Sequence, residues 1–123
     1  MQGKTIALWG LAFKPETDDV REAPSLVLIE HLLAAGCHVK AYDPIAMPSA
    51  ESVLGDKVTF CRDMYEAAMD SDALMLVTEW KEFRIPSLAV LQRTMRGKVI
   101  LDGRNIYDRE EMEEQGFTYY KIG

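Results

Sequence analysis

The chain has 123 residues with a net charge of −6, and 48% of its residues are apolar. This length and composition are typical of one globular domain with a real core, and the acidic balance argues against broad binding to nucleic acid or to a membrane surface, which needs a basic face. No apolar run approaches the roughly 20 residues that span a bilayer and no signal peptide opens the chain, so we expect a cytoplasmic protein without a membrane span.

Apolar runs typical of strands alternate with helical patterns along the whole chain. The first half predicts, in order, a strand over residues 5–9, a helix over 24–35, a strand over 38–42, a short helix over 49–54 and a short strand over 58–61. The second half predicts a helix capped by Asp63 that runs to residue 69, a strand over 73–78, a helix over 86–95, a strand over 99–101, an acidic helix between Asp108 and Gly116, and a last strand over 117–120. These assignments rest on helical periodicity, on continuous apolar runs, and on Pro, Gly and Asp at the element ends.

This alternation predicts an α/β fold: a three-layer, doubly wound and mostly parallel sheet of about six strands, Rossmann-like in architecture, with helices on both faces. We expect residues 1–123 to form a single domain. In such sheets a ligand lies in the crevice outside the carboxyl ends of the strands. The loops that follow the predicted strands are therefore the places to look for a site: 10–23, 43–48, 61–63, 78–85 and 102–107.

The first of these loops, residues 10–23, is unusually long and charged. Connections of this kind usually take about 2–6 residues, and the G-x-G-x-x-G fingerprint of dinucleotide sites is absent from it. Lys14 and Arg21 precede a helix that begins at Pro24, whose N-terminus carries the positive end of the helix dipole. The loop alone leaves two interpretations open, either a phosphate site or a solvated surface on which the two cations offset four carboxylates.

The loop 102–107 carries a second candidate phosphate ligand, Arg104, directly after Gly103. A guanidinium can hold a phosphate by two parallel hydrogen bonds, which a lysine cannot do. The alternative is an ion pair on the surface with Asp102 or Asp108, and the residues alone do not decide between the two.

The remaining candidates favour structural roles. Trp80 and Phe83 follow a strand, and we favour packing of the next helix against the sheet over stacking on a ligand. Asp43 ends a strand where Rossmann folds place a ribose-binding acid, but without the fingerprint it is better explained as a turn residue. Cys37 and Cys61 lack C-x-x-C spacing and a nearby activating side chain, so we expect buried thiols and no metal site.

Four motifs make the sequence recognisable when they are taken together and in order: GLAFKPETDDVREAPSL, YDP, SDALMLVTEWKEF and ILDGRNIYD. At these spacings they resemble the C-terminal, UDP-binding domain of the UDP-glucose 6-dehydrogenases. They resemble less closely the same domain of the GDP-mannose and UDP-N-acetylmannosamine dehydrogenases. The resemblance covers nearly the whole chain, and the ordered set is far more specific than any one motif.

The resemblance implies an NAD-dependent oxidoreductase that converts UDP-glucose into UDP-glucuronate for polysaccharide biosynthesis. Phe13 and Lys14 fall on the family's F-K pair and Arg104 falls on its D-G-R arginine, all of which contact the UDP-sugar substrate. Arg21 falls on the V-R-E arginine, which reaches toward the NAD. The resemblance also places the NAD domain and the catalytic cysteine in the remaining domains of the same enzyme, a homodimer. This chain alone is therefore expected to hold the UDP, to supply no catalytic residue and to be inactive.

Two alternatives stay open beside a UDP-glucose dehydrogenase: the same domain of a related nucleotide-sugar dehydrogenase, and a non-catalytic nucleotide-binding or interaction module. A receiver domain, which Asp18-Asp19 superficially resemble, is disfavoured because no lone Asp ends the third strand. One departure from the family pattern is Ala23, where the family often has Ser before the helix proline. The loss of such a cap typically costs about 1 kcal/mol and touches no ligand group.

Overall fold

The structure, a computed structural model, describes residues 3–12 and 24–121. Six strands of this part of the chain are β1 (Thr5–Trp9), β2 (His38–Tyr42), β3 (Thr59–Phe60), β4 (Ala73–Leu76), β5 (Val99–Asp102) and β6 (Thr118–Lys121). They form one sheet in the order β3-β2-β1-β4-β5-β6, and every neighbouring pair runs parallel. The prediction of an α/β fold with six parallel strands is confirmed.

The helices of the described residues are α1 (Pro24–Ala34), α2 (Met47–Leu54), α3 (Met64–Ala68), α4 (Lys81–Arg84), α5 (Leu88–Thr94) and α6 (Arg109–Glu114), with a 3₁₀ turn over Gly55–Lys57. They lie on both faces of the sheet. Because successive side chains of a strand point to opposite faces, Ile6 and Leu8 of β1 pack with residues of α1 and α2. Ala7 and Trp9 pack with residues of α3 to α6 on the other face. The predicted doubly wound arrangement therefore has a separate apolar core on each side.

The order of the strands in the sheet indicates where a ligand is expected to bind. The chain builds outward from β1 to β3, returns to β4 on the other side of β1, and then builds outward again. The point between β1 and β4 is therefore the topological switch point, where ligands of such folds bind. Gly10 ends β1 at this point with a φ of +99°, and a Cβ added to it would lie 2.5 Å from the backbone N of Thr78. Only glycine allows the two chain segments to approach so closely here.

The observed elements differ from the predicted ones mainly around the loop 78–85. β4 ends at Leu76 because both Val77 and Thr78 direct their amides at a single acceptor, the Trp9 carbonyl, so the regular ladder stops. The loop contains the unpredicted helix α4. Helix α5 begins after Ser87, whose side chain accepts a hydrogen bond from the Val90 amide as an N-cap.

The two cysteines match the prediction of buried thiols. Cys37 and Cys61 are both buried, and burial raises the pKa of the Cys61 thiol. None of the helices in the described part of the chain is long and apolar enough to cross a bilayer. Within residues 3–12 and 24–121, no three His, Cys, Asp or Glu side chains come together as metal ligands.

Candidate functional site

The carboxyl edge of the sheet is organised around two fully buried aspartates, Asp43 and Asp102. Asp43 follows β2, and its carboxylate accepts hydrogen bonds from five donors: the amides of Leu11, Ala12, Ile45 and Ala46, and the indole N–H of Trp80. The two bonds from within its own loop confirm the predicted turn role. The other three tie that loop to the loops after β1 and β4, so Asp43 holds three chain segments together.

The start of the long loop after β1 is fixed as far as the structure describes it. Besides the two amides held by Asp43, the Leu11 carbonyl accepts a hydrogen bond of 2.6 Å from the Ser25 hydroxyl. The Ala12 carbonyl accepts one of 2.7 Å from the Thr78 hydroxyl. Buried backbone groups need such partners, and these side chains supply them. The predicted site residues Phe13, Lys14 and Arg21 lie outside the described residues.

Asp102, at the end of β5, has the same structural role as Asp43. Its carboxylate accepts hydrogen bonds from four successive backbone amides, those of Arg104, Asn105, Ile106 and Tyr107, and from the Tyr119 hydroxyl at 2.6 Å. The loop after β5 is thereby wound around one buried carboxylate. Burial, and then the hydrogen bond to Asp102, raise the pKa of Tyr119, so that hydroxyl stays a proton donor.

The side chain of Arg104 emerges from this fixed loop and pairs with Glu79. The Nε and Nη2 of Arg104 both donate to the Glu79 carboxylate, the Nη2 contact to Oε1 being 3.1 Å long. The hydrogen bond that Arg104 donates to Glu79 raises the pKa of Arg104. The predicted alternative of an ion pair is therefore observed, but its predicted partner, Asp102 or Asp108, is wrong. Asp102 accepts the backbone amide of Arg104 and not its guanidinium, and the Asp108 carboxylate caps α6.

Arg104 borders a cavity of about 490 Å³ at the carboxyl edge. The rest of its lining is Val27 and Leu28 of α1, residues 75–77 at the end of β4, Leu101 of β5 and Gly103. The cavity is therefore apolar except where the guanidinium meets it. Ligand sites are commonly built in this way, with an apolar wall and a few placed polar groups.

The aromatic side chains after β4 belong to the fold. Trp80 and Phe83 are buried, and the Phe83 ring stacks on that of Trp9 with 5.1 Å between centroids. The Trp80 indole N–H donates to Asp43 at 3.0 Å. The prediction of a packing role is confirmed, but the helix concerned is α4, to which Phe83 itself belongs, and not the predicted helix over 86–95.

A family comparison decides what this architecture belongs to. Residues 7–109 match the UDP-glucose/GDP-mannose dehydrogenase family, UDP binding domain. The chain belongs to this family. The matched span begins within β1 and includes β2 to β5 and both buried aspartates, so it covers the carboxyl edge described above.

The relatives of this domain are longer proteins. It is 50% identical over 127 residues to the UDP-glucose 6-dehydrogenase of Pseudomonas aeruginosa and 46% identical over 123 residues to UDP-glucose 6-dehydrogenase TuaD of Bacillus subtilis. These alignments cover 99% and 100% of this chain but only 28% and 27% of the relatives. The solved UDP-glucose dehydrogenase of Pyrobaculum islandicum superposes with a TM-score of 0.80 at 32% identity, and the match covers 100% of this chain and 26% of that one.

Three site features were not anticipated from the sequence: the donor clusters around Asp43 and Asp102, and the partner of Arg104. The first two had a detectable signal, since an Asp directly after an apolar strand and before a turn commonly binds nearby amides. The pairing of Arg104 with Glu79 had none, because the two lie 25 positions apart and meet only because β4 and β5 are neighbours.

Proposed function

We propose that this chain is the UDP-holding, C-terminal domain of an NAD-dependent UDP-glucose 6-dehydrogenase. The whole enzyme oxidises the C6 hydroxyl of UDP-glucose to the carboxylate of UDP-glucuronate, a step of polysaccharide biosynthesis, in the cytoplasm. The observation that carries the proposal is an ion-paired arginine beside an apolar cavity at the carboxyl edge of the sheet, in a chain of the UDP-binding family.

Arg104 is the proposed ligand of the UDP pyrophosphate. A diphosphate brings negative charge and several acceptor oxygens, which a guanidinium can meet by parallel hydrogen bonds. The apolar lining beside Arg104 suits the uncharged parts of the ligand. We propose Phe13 and Lys14 as the second substrate group, contributed by the loop after β1, and Arg21 as a contact toward the NAD. Binding energy gained on the UDP then positions the glucose C6 for oxidation elsewhere in the enzyme.

The described residues do not fit a primary NAD site. The Rossmann fingerprint is missing after β1. The acid that would take a ribose hydroxyl, Asp43, is buried with five donors on its carboxylate. We therefore place NAD binding and the catalytic cysteine in other domains of a homodimeric enzyme, and neither Cys37 nor Cys61 is given that role.

A related nucleotide-sugar dehydrogenase is the second candidate. The solved UDP-D-ManNAc dehydrogenase of Pyrococcus horikoshii has the same fold with a TM-score of 0.75, at 28% identity. The curated UDP-glucose enzymes at 46% and 50% identity favour glucose. Turnover of UDP-glucose and UDP-N-acetylmannosamine by the full-length enzyme decides between the two substrates.

The experiment that tests the site is Arg104→Ala in the full-length dehydrogenase to which we assign this chain, with UDP binding measured by calorimetry. Charge-assisted hydrogen bonds contribute about 1.5–3 kcal/mol, so we expect UDP to bind about 10 to 100 times more weakly. Lys14→Ala is expected to act in the same direction. Arg93→Ala, which removes an exposed arginine from the last turn of α5, is the control and should leave the affinity unchanged. Equal affinities in wild type and Arg104→Ala would overturn the assignment.

A further inference from the structure

The guanidinium of Arg104 has two edges that can hold an anion, and one of them is already used. Glu79 takes the edge formed by Nε and Nη2. Among residues 3–12 and 24–121, no partner of Nη1 is found, so none of these residues occupies the edge formed by Nη1 and Nη2. Arg104 lines the cavity, whereas Glu79 is not among the described residues that line it. The carboxylate thus contacts the guanidinium without belonging to the described lining of the cavity.

Glu79 is itself fixed by its two neighbours in the chain. Thr78 is fully buried, and its hydroxyl donates to the Ala12 carbonyl at 2.7 Å. Trp80 is buried, and its indole N–H donates to Asp43 at 3.0 Å. A residue between two anchored neighbours has little backbone freedom, so its carboxylate is presented from a defined position. The partner loop, which carries Arg104, is fixed in turn by Asp102.

We propose that Glu79 is a positioning residue for the pyrophosphate of the nucleotide sugar, holding Arg104 by one edge so that its other edge faces the cavity. The inference rests on the proposed function and adds a residue to it. A free arginine side chain samples many rotamers, and immobilising such a side chain on binding costs about 0.5–1.5 kcal/mol. With Glu79 present, that ordering is achieved before the ligand arrives.

A second effect of Glu79 on UDP binding is unfavourable. Its negative charge repels an anion in the cavity and would by itself weaken UDP binding. The side chains of Arg104 and Glu79 are 34% and 23% exposed, so water and salt screen this repulsion, whereas the loss of rotamer freedom is not screened. We therefore expect ordering to outweigh repulsion.

The test is a double-mutant cycle in the full-length dehydrogenase, with UDP affinity measured by calorimetry. Glu79→Ala is expected to weaken UDP binding by about three- to tenfold, the cost of ordering one side chain. In an Arg104→Ala background the same change should alter the affinity by less than about twofold, because Glu79 then has nothing to position. Glu79→Gln keeps a carbonyl oxygen for one guanidinium N–H and should restore most of the affinity.

Two controls separate positioning from damage and from simple charge. Uridine lacks the pyrophosphate, so its inhibition constant should be the same in wild type and Glu79→Ala, whereas a distorted pocket would change it. Glu82→Ala removes a carboxylate of the neighbouring helix α4 that contacts Tyr42 and should leave UDP affinity unchanged. If Glu79→Ala binds UDP as tightly as wild type or more tightly while Arg104→Ala binds weakly, the positioning role is wrong and the proposed function stands. If Arg104→Ala has no effect, both fail.

Discussion

Buried carboxylates are costly unless they are fully hydrogen-bonded, and the two at the carboxyl edge show how that cost is met. Asp43 and Asp102 each accept four backbone amides and one side-chain donor. Loops have few backbone partners of their own, and these carboxylates supply acceptors that strands would otherwise provide. At the scale of single residues, they define the shape of the site without facing the cavity.

Replacing Asp43 with Asn tests this role. The Asn side chain keeps one acceptor oxygen. Its NH₂ group replaces the other oxygen and faces the N–H groups that donated to it, so at least two N–H groups lose their partners. We expect a loss of about 2–3 kcal/mol in the free energy of unfolding, measured with urea. Asp63→Asn is the control: Asp63 is an exposed N-cap of α3, and Asn caps a helix about as well as Asp. Equal stabilities of the two variants would refute the role given to Asp43.

A second prediction at this scale concerns pH. Asp72 accepts hydrogen bonds from the Arg96 guanidinium and from the Thr5 amide, and these bonds, that of Arg96 first, lower its pKa to about 2. Because an unperturbed aspartate has a pKa of about 3.9, the ionised form stabilises the fold above that pH. The contribution is lost as the pH falls from there to about 2.

The corresponding variant is Asp72→Asn. Arg96 is largely exposed, so screening reduces the effect to about 1 kcal/mol at neutral pH. Unfolding free energies of wild type and variant should therefore differ at pH 7 and converge near pH 2. A constant difference over this range would show that Asp72 contributes through its shape and not through its charge.

At the scale of elements, the close contact between the end of β1 and the residues after β4 limits what can stand at position 10. Gly10→Ala would combine a strained φ of +99° with a Cβ placed 2.5 Å from Thr78, and we expect a cost of about 3–4 kcal/mol. Gly116→Ala is the matched control, because Gly116 has a φ of +90° and no atom within 4 Å of an added Cβ. That change should cost only about 1 kcal/mol. The free energy of unfolding of each variant is measured with urea, and the difference between the two losses gives the cost of the steric contact with Thr78.

The elements also show which parts of the fold the sequence can predict. β1, β2 and α1 lie within one residue of their predicted bounds, since long apolar runs and helical periods average over many residues. Helix α4 was missed because four residues make a single turn with no period to detect. It is held by tertiary packing, with Phe83 fully buried against Trp9.

For the whole molecule, the alternation of strands and helices predicted the sheet and thereby the edge on which Arg104 lies. The strand order itself, which makes β4 and β5 neighbours and brings Glu79 to Arg104, was not predicted, because one sequence carries no direct record of long-range contacts. The local carboxylates Asp102 and Asp108 were the natural alternatives for that reason. The substrate roles of Phe13, Lys14 and Arg104 and the cofactor role of Arg21 remain predictions.

The 123-residue chain is expected to show no dehydrogenase activity by itself. It spans 27–28% of the curated relatives it matches, and its described residues offer neither a dinucleotide fingerprint nor an accessible thiol. Mixing it with NAD⁺ and UDP-glucose should give no absorbance of NADH at 340 nm above the rate without protein. Production of NADH at a rate typical of enzymes, of order 1 s⁻¹ or more, would contradict the proposal that other domains of the enzyme bind NAD and carry out catalysis.

The Asp43 cluster has a consequence for protein engineering. Its donors come from the loops after β1, β2 and β4, separated by more than 30 positions in the chain. A chimera that exchanged only one of these loops with a distant relative would present the carboxylate with a partner set built for another geometry. The fold should therefore tolerate such an exchange only when the three loops are grafted as one unit.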